Sequence, residues 1–262
     1  MLDALLLIRL VLAFAVGAIW VSAITIIADK KGPVVGGVLG GFPSTGAFSF
    51  LFIAINQSTE AAVNATIVFP LAFSITNAFL LSYAYFSKKG FKKGLSISLL
   101  TWFIASTLIV ASNIQNYAIA LGSGALISIV IYHMFTRKLK LPNCTGERKN
   151  YGFSGVLLRG IGAGALVSAS VLLSQIGSPL LGGVAAALPA VFTSTLIILN
   201  KLKGTEFTRS ITKPLVFSGI FTVIPYSITV HYLYPTAGIW LGTLFSYMLA
   251  IPLAALSYYI AK

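Results

Sequence analysis

The sequence contains few charged residues and long stretches without any. Only 9% of its 262 residues are charged and 57% are hydrophobic, whereas about 25% of the residues in a soluble domain are charged. Several apolar runs reach the roughly 20 residues that a helix needs to cross a bilayer. The composition therefore argues against a soluble domain. It predicts an all-α, polytopic protein of the cell membrane, which contacts the lipid bilayer as a partner.

Acidic residues, histidine and cysteine are scarce, and their positions argue against several kinds of chemistry. The five acidic residues lie in loops or near predicted helix ends, so no carboxylate is placed at the membrane midplane for a proton relay or a divalent-cation site. The lone Cys144 excludes an intrachain disulfide and a multi-cysteine metal site. His133 and His231 are predicted to lie toward opposite membrane faces. The sequence also has no glycine-rich phosphate loop and no paired-histidine zinc motif, so we expect no metal, no cofactor and no enzymatic activity.

The formal net charge of +13 comes from basic residues in short loops between apolar runs. These residues form neither an amphipathic face nor a basic arm. The tendency of cytoplasmic loops to carry lysine and arginine explains them without a nucleic acid partner. We therefore expect that the protein does not bind nucleic acid.

The apolar runs predict nine transmembrane helices with short connections. The polar stretch Asn113-Ile114-Gln115-Asn116 separates the fourth helix from the fifth. The predicted helices span residues 4–27, 33–56, 62–86, 94–113, 116–135, 154–176, 178–200, 208–232 and 236–260.

The basic residues divide the predicted loops into two sets. All of them except Arg9 and Arg159 fall in one set of alternate loops and at the C-terminus, and the loops near residues 57–61, 113–116, 177 and 233–236 have none. Because basic loops face the cytoplasm, the pattern predicts an external N-terminus and a cytoplasmic C-terminus.

This topology gives a direct test. A reporter fused near Asn116 is expected to be external, and one fused near Cys144 is expected to be cytoplasmic, because the two positions lie in loops of opposite charge type. Reporter activity or accessibility in whole cells measures both. The reverse assignment would contradict the topology.

The sequence carries an internal repeat. The glycine-rich stretch at residues 36–45 returns at residues 182–189 with the same spacing. In each copy, a second proline lies ten residues before the proline of the stretch. The further matches are Thr59-Glu60 with Thr205-Glu206, and Pro70-Leu71-Ala72-Phe73-Ser74 with Pro214-Leu215-Val216-Phe217-Ser218.

The repeat predicts two four-helix units joined by one helix. Residues 1–113 form the first unit, residues 114–153 contain the fifth helix and a basic cytoplasmic loop, and residues 154–262 form the second unit. A single linking helix places the two units in the membrane in opposite orientations. Inverted repeats of this kind are common among secondary transporters.

Each unit contains a predicted break in its second helix. Pro43 and Pro189 each remove a backbone donor and clash with the carbonyl four residues earlier, at Leu39 and Ala185. Pro33 and Pro43 are ten residues apart, which is about 15 Å at the helical rise and half of a hydrocarbon core of about 30 Å. The breaks are therefore expected near the midplane. Close packing of glycine-rich helices is the alternative explanation of the motif.

The candidate substrate-binding residues surround these breaks. Their backbone is expected to be irregular, and the serine and threonine hydroxyls are expected to bond the freed carbonyls or to contact a substrate. The candidates are Gly36, Gly37, Gly41, Pro43, Ser44 and Thr45 in the first unit, and Gly182, Gly183, Pro189, Thr193, Ser194 and Thr195 in the second.

Two arginines lie inside predicted helices. Arg9 and Arg159 are each about six residues from a helix end, roughly 8 Å deep at the helical rise. A charge at this depth is usually paired, and the predicted topology places Glu60 on the side of Arg9 and Glu206 on the side of Arg159. We expect two symmetry-related arginine–glutamate pairs, acting as gates, anion contacts or structural ties.

The unit resembles the small four-helix membrane proteins of the GlpM type. The resemblance implies a fused duplication of a half-size unit, and in the second half Phe207 and Ile211 depart from the pattern. The matching residues are Arg9, Gly37, Pro43, Glu60, Ala61, Ala65 and Thr66 in the first half, and Arg159, Gly183, Pro189, Glu206 and Thr212 in the second.

These features predict a secondary transporter or permease that moves a small solute by alternating access about the paired breaks. The second and seventh predicted helices would line the pathway with the third and eighth. The lack of a midplane carboxylate favours an anion or a neutral solute over organic cations and divalent metals, and a sodium-coupled substrate stays open. The alternatives are a channel of the same symmetry, a non-transporting scaffold for lipid or polymer export, and a lipid scramblase. Whether the chain forms a homo-oligomer also stays open.

Overall fold

The computed structural model describes residues 4–31, 43–139, 141 and 152–261, and these residues are almost entirely helical. A 3-10 turn spans Ser87–Lys89, and π-helical turns span Met134–Lys138 and Gly219–Val223. The α-helices are α1 (Ala4–Lys31), α2 (Ser44–Asn56), α3 (Thr59–Phe86), α4 (Phe91–Ser112), α5 (Tyr117–His133), α6 (Gly152–Ile176), α7 (Pro179–Ala186), α8 (Ala190–Ser210), α9 (Thr212–Ser218) and α10 (Ile224–Ala261).

Seven helical stretches in the described part of the chain are long and apolar enough to cross a membrane. The last of them, Thr212–Ser257, is 46 residues long, about twice the length that one crossing needs. The helix α2 is apolar but shorter. The prediction of an all-helical polytopic membrane protein is confirmed at this level.

The turn between α4 and α5 lies at the predicted polar stretch. Asn113 ends α4 in the left-handed conformation, with φ of 45°, which asparagine tolerates better than most residues. Asn116 then caps α5, because its side-chain oxygen accepts a hydrogen bond of 3.0 Å from the backbone N–H of Ile119. The two asparagines therefore end one helix and start the next.

Two glycines break the long helices of the second half. Gly204 interrupts α8 with φ of 82°, and Gly238 interrupts α10 with φ of 77°. Glycine adopts this region without a Cβ penalty. The predicted break at residues 233–236 is therefore wrong by a few residues, because the chain continues as a helix through Pro235 and changes direction at Gly238.

The helix α3 is the centre of the fold. Its membrane-spanning stretch is 72% buried, and it packs against α4, α5, α7 and α10. Glycines allow close approach at two of these contacts. A Cβ built on Gly124 of α5 would lie 2.8 Å from the carbonyl oxygen of Pro70, and Gly183 of α7 meets the backbone of Ala65. Small residues give membrane helices this kind of contact.

The helices α1 and α6 form the most extensive contact between two helices, and they run antiparallel. The hydroxyl of Ser168 donates a hydrogen bond of 2.8 Å to the carbonyl of Leu10. Eight residues further along α1, a Cβ built on Gly160 would lie 3.0 Å from the carbonyl oxygen of Ala18. Moving forward along α1 therefore moves the contact backward along α6. We call this contact the α1–α6 seam.

Large apolar side chains cover the outside of the helices. On α4, for example, Leu100, Phe103 and Leu108 are each more than half exposed. A soluble protein rarely exposes apolar area of this extent. Lipid provides the natural environment for these faces.

Candidate functional site

The chain is broken at the second predicted proline. The helix α7 ends at Ala186, Pro189 precedes α8 with φ of −76° and ψ of 40°, and α8 starts at Ala190. The backbone N–H of Leu188 donates to the carbonyl of Ala185 at 3.0 Å. The prediction that Pro189 frees this carbonyl is therefore wrong, because a tighter final turn satisfies it.

At the first predicted break, the structure describes only the residues from Pro43 onward. Pro43 precedes α2 with φ of −72° and ψ of 71°, and α2 starts at Ser44. Neither Pro43 nor Pro189 provides a side-chain cap to the helix that follows it. The predicted site residues Gly36, Gly37 and Gly41, and the carbonyl of Leu39, lie outside the described residues.

Described residues at the first predicted break and at the second break line one cavity of about 60 Å³, which we call the central cavity. Residues 43–46 line it from the first break, and residues 186–189 line it from the second, together with Val191 and Phe192 at the start of α8. The remaining described lining residues are Val21, Ile24, Phe69, Phe73, Thr76, Arg159, Ser218, Gly219 and Val223.

The length of α7 is consistent with the predicted position of the second break near the midplane. Pro179 is the first residue of α7, and Pro189 follows ten residues later. At the helical rise this distance is about 15 Å, half of a hydrocarbon core of about 30 Å. Irregular backbone at this depth is tolerated where protein buries it or where it faces a wet cavity.

Thr76 of α3 holds the second break in place. Its hydroxyl donates a hydrogen bond to the carbonyl of Ala187 and accepts one of 3.0 Å from the indole N–H of Trp102. Ala187 directly follows α7 as its C-cap, so its carbonyl has no partner further along the same helix. Both Thr76 and Trp102 are buried, and the bonds tie α4, α3 and the end of α7 together.

Replacing Thr76 by valine is expected to lower the free energy of unfolding by about 2–3 kcal/mol, because two buried polar groups lose their common partner. Unfolding by SDS in detergent micelles, followed by circular dichroism, measures the change. Thr107→Val is the control. Its hydroxyl bonds only the carbonyl of Phe103 in its own exposed turn, so its effect should stay within about 0.5 kcal/mol. Equal effects of the two substitutions would contradict the role of Thr76.

The structure brings together only some of the predicted site residues. Pro43, Ser44, Thr45 and Pro189 line the central cavity. Gly182 and Gly183 instead allow close helix packing: a Cβ on Gly182 would lie 2.9 Å from the carbonyl oxygen of Ser170, and a Cβ on Gly183 would lie 3.0 Å from the carbonyl carbon of Ala65. Their assignment to substrate binding is replaced by a packing role.

The predicted hydroxyl residues of α8 also lie outside the lining. The hydroxyls of Ser194 and Thr195 both donate to the carbonyl of Val191, at 2.9 and 2.7 Å. They bond their own helix, as serine and threonine commonly do in helices, and not the carbonyl of Ala185. The hydroxyl of Thr193 is buried and has no hydrogen-bond partner among the described residues.

The predicted arginine–glutamate pairs are replaced by other contacts. Arg9 donates a hydrogen bond of 3.2 Å to the carbonyl of Asn56 at the end of α2, where the helix dipole favours a positive charge. Glu60 is exposed in the first turn of α3, where the same dipole favours a negative one. Glu206 pairs with Arg209 at 2.6 Å, and Arg159 lines the central cavity.

Several lining residues were not predicted from the sequence. Phe73 and Ser218 lie in the repeated stretches 70–74 and 214–218. These stretches indicated the internal repeat, but nothing in them indicated a binding site. Phe73 stacks on Phe69 with ring centroids 5.8 Å apart and contacts Phe192 across the cavity at 6.5 Å. The π-helical turn Gly219–Val223 follows Ser218, and such turns often occur at functional sites.

The described lining of the central cavity offers groups that can bind a small solute. Within the described residues, His, Cys, Asp and Glu form no cluster that could hold a metal ion. The described lining contains backbone groups, hydroxyls, aromatic rings and one charged side chain, Arg159.

Residues 10–116 match the family DUF3147, which is described as a protein of unknown function. The match ends at the turn before α5 and covers less than half of the chain, so the first part of the protein is similar to this family. No curated protein and no solved structure matches the chain. The resemblance to proteins of the GlpM type therefore stays a prediction.

Proposed function

We propose that the protein is a secondary transporter or permease that moves a small solute through the central cavity. The observation that supports this most directly is that the broken helix pair α7 and α8 and the start of α2 after Pro43 line one cavity, at a depth that we infer to be near the middle of the membrane. Discontinuous helices at this depth are the usual construction of substrate sites in secondary transporters. We do not propose an enzymatic activity for it.

We further infer nine crossings arranged as two inverted units, with an external N-terminus and a cytoplasmic C-terminus. The antiparallel α1–α6 seam supports opposite orientations of the first helices of the two units. Corresponding breaks support the repeat: Pro43 and Pro189 precede α2 and α8. Gly90 precedes α4 and Gly238 interrupts α10, and both glycines have positive φ. The DUF3147 match to residues 10–116 nearly coincides with the proposed first unit, residues 1–113.

A second cavity of about 180 Å³ lies at the other end of α7 and provides a route of access. Asn64, Asn113, Gln115 and Ser178 contribute polar side chains to its wall. These residues lie in or near the loops without basic residues, which we infer to be external. We call it the outer cavity.

A closed region separates the two cavities. Along α3, the outer cavity ends at Val68 and the central cavity begins at Phe69. Phe69 is 1% exposed and packs edge-to-face on Phe50, with ring centroids 4.9 Å apart. The helix α7 packs closely against α3 at Gly183. A closed region beside a binding cavity favours alternating access over a permanently wet pore.

Flux through reconstituted protein tests the function. Liposomes containing the protein are transferred into iso-osmotic solutions of a chloride salt, a formate salt, glycerol or a sodium salt. Light scattering then reports the swelling of the liposomes. Pro43→Ala and Pro189→Ala are expected to lower the rate about tenfold or more, because each lets a helix continue through its break and fills the site. Pro252→Ala is the matched control, since Pro252 is exposed within α10.

The outcomes separate the proposed function from its alternatives. Saturable, counterflow-competent flux supports a transporter, whereas resolvable single-channel current would support a channel. Absence of flux for every solute tested would favour a scaffold. Unchanged flux in both proline variants would show that the breaks do not form the pathway.

A further inference from the structure

Lysines from two distant parts of the chain lie together at one end of the helix bundle. One group surrounds the turn between α3 and α4, and the other directly precedes the break of α8 at Gly204. The 3-10 turn Ser87–Lys89 and α4 both pack against α8. We call the lysines of both groups the basic cluster, which consists of Lys88, Lys89, Lys92, Lys93, Lys201 and Lys203.

Hydrogen bonds between α3 and α8 hold the two groups at the same level. The hydroxyls of Tyr83 and Thr208 form a hydrogen bond of 2.6 Å. The Nε of Arg209 donates a hydrogen bond of 3.2 Å to the carbonyl of Ala84. These contacts lie at the end of α3, directly before the first group of lysines, and a few residues beyond the second group. The two parts of the basic cluster therefore belong to one surface.

The start of α4 concentrates positive charge in this surface. A Cβ built on Gly94 would lie 2.6 Å from the Cα of Ser87, so the 3-10 turn is folded onto the first turn of α4. That helix begins after Gly90 without a side-chain cap and without an acidic residue in its first turn. Like charges held this close repel one another, and the lysines at 88, 89, 92 and 93 are all exposed. An anion bound to them would relieve this repulsion.

The acidic residues of the chain are too few to neutralise the basic cluster. The carboxylate of Glu206 is already held by Arg209 at 2.6 Å. Glu60 lies in the first turn of α3, whereas the cluster follows the last turn of this helix, about 40 Å away at the helical rise. The only other acidic residues in the sequence are Asp3, Asp29 and Glu147. They are fewer than the lysines, so the cluster stays positive wherever they lie.

An exposed apolar surface continues from the basic cluster along α4. Leu100, Phe103 and Ile104 are each more than half exposed, about two to three turns further along the helix than the lysines. Tyr85 is 59% exposed, and the Nζ of Lys88 lies 5.8 Å from the centroid of its ring. Exposed tyrosines of this kind are typical of the membrane–water interface. A ligand with an anionic head and apolar chains matches both parts of the surface.

We propose that the basic cluster binds the head group of an anionic phospholipid, represented by phosphatidylglycerol, while the acyl chains lie along the exposed face of α4. The preference of cytoplasmic loops for basic residues explains why these lysines share one side of the membrane. It does not explain why two loops from different halves of the chain converge. Each lysine near such a surface contributes about fivefold in affinity for anionic lipid. This lipid site is independent of the proposed transport function.

Native mass spectrometry of the full chain in a neutral detergent tests the lipid site. The protein is titrated with phosphatidylglycerol and with phosphatidylcholine of the same acyl chains, and the bound lipids are counted. We expect phosphatidylglycerol to bind about tenfold or more tightly than phosphatidylcholine, and this difference to shrink as the ionic strength rises. Equal binding of the two lipids would overturn the proposal.

Two double variants test whether both loops form one site. K88Q/K89Q and K201Q/K203Q each remove two positive charges, one pair from each part of the basic cluster. Each is expected to weaken the binding of phosphatidylglycerol about tenfold or more, with the binding of phosphatidylcholine unchanged. K88R/K89R keeps the charge and is expected to keep the affinity. A loss in only one of the two glutamine variants would overturn the shared site.

The double variant R137Q/K138Q is the matched control. It removes the same number of positive charges from exposed residues in the π-helical turn Met134–Lys138, which lie outside the basic cluster. Its affinity for phosphatidylglycerol is expected to stay within about twofold of the unmodified protein, because salt screens charges that do not contact the lipid. A loss equal to that of the cluster variants would assign the attraction to total charge and overturn the site.

Competition with glycerol 3-phosphate separates a phospholipid from its head group alone. This compound carries the phosphate of the head group but no acyl chains, so it cannot contact the apolar face of α4. We expect that it does not displace phosphatidylglycerol at an equal concentration. Displacement at that concentration would show that the apolar face takes no part and would overturn the assignment to a phospholipid.

Discussion

Replacing Gly183 by alanine is expected to lower the free energy of unfolding by about 2–3 kcal/mol, the usual cost of overpacking a close contact. A Cβ at this position would overlap the carbonyl group of Ala65. That group belongs to the backbone of α3, the most buried helix, so no side-chain rotation relieves the overlap. The helix α7 would have to move away from α3.

The control for this substitution is Gly162→Ala on α6, where nothing lies within 4 Å of the added Cβ. In a helix interior, alanine is favoured over glycine by about 0.5–1 kcal/mol, so this variant should be neutral or more stable. SDS-induced unfolding in detergent micelles, followed by circular dichroism, measures both. A Gly183→Ala protein as stable as Gly162→Ala would show that α7 and α3 are not in close contact.

Glu206→Gln is expected to cost about 2 kcal/mol, and Arg209→Met is expected to cost less, about 1 kcal/mol. The asymmetry follows from burial. The side chain of Arg209 is 7% exposed, whereas that of Glu206 is 62% exposed. Without Glu206, a buried guanidinium keeps only its hydrogen bond of 3.2 Å to the carbonyl of Ala84. Without Arg209, the glutamate is simply solvated by water.

The double variant E206Q/R209M completes this test. Once the buried charge is removed, loss of the carboxylate should add little, so the double variant should be about as stable as Arg209→Met alone. The same unfolding measurement applies to all three proteins. Equal costs for the two single variants, or additive costs in the double variant, would contradict the asymmetry.

The membrane class and the helix breaks were predictable because they depend on local chemistry. The long apolar runs require a membrane, and the asparagines at 113 and 116 have the side chains that end and cap helices. Pro43 and Pro189 each follow a glycine-rich stretch and remove a backbone donor, which together disfavour a regular helix. These signals act over a few residues, and a single sequence is enough to contain them.

The walls of the central cavity were not predictable in the same way. A helix that is apolar on all sides gives no periodic signal of which face is inside the protein, so the positions of Phe69 and Ser218 depended on the packing of distant helices. The partner of Glu206 was missed for a related reason. The repeat suggested Arg159, but the chain restarts as a helix after Gly204, and this brings Arg209 within one turn.

The α1–α6 seam has a mechanical consequence. Its contacts involve backbone atoms: a Cβ built on Gly164 would lie 2.5 Å from the carbonyl oxygen of Phe14, and Ser168 bonds the carbonyl of Leu10. Few interlocking side chains must change rotamer when two such helices slide along each other. Sliding of packed helices is one of the two common forms of domain movement, the other being rotation about a hinge. The α1–α6 seam is therefore suited to sliding of these two helices along each other.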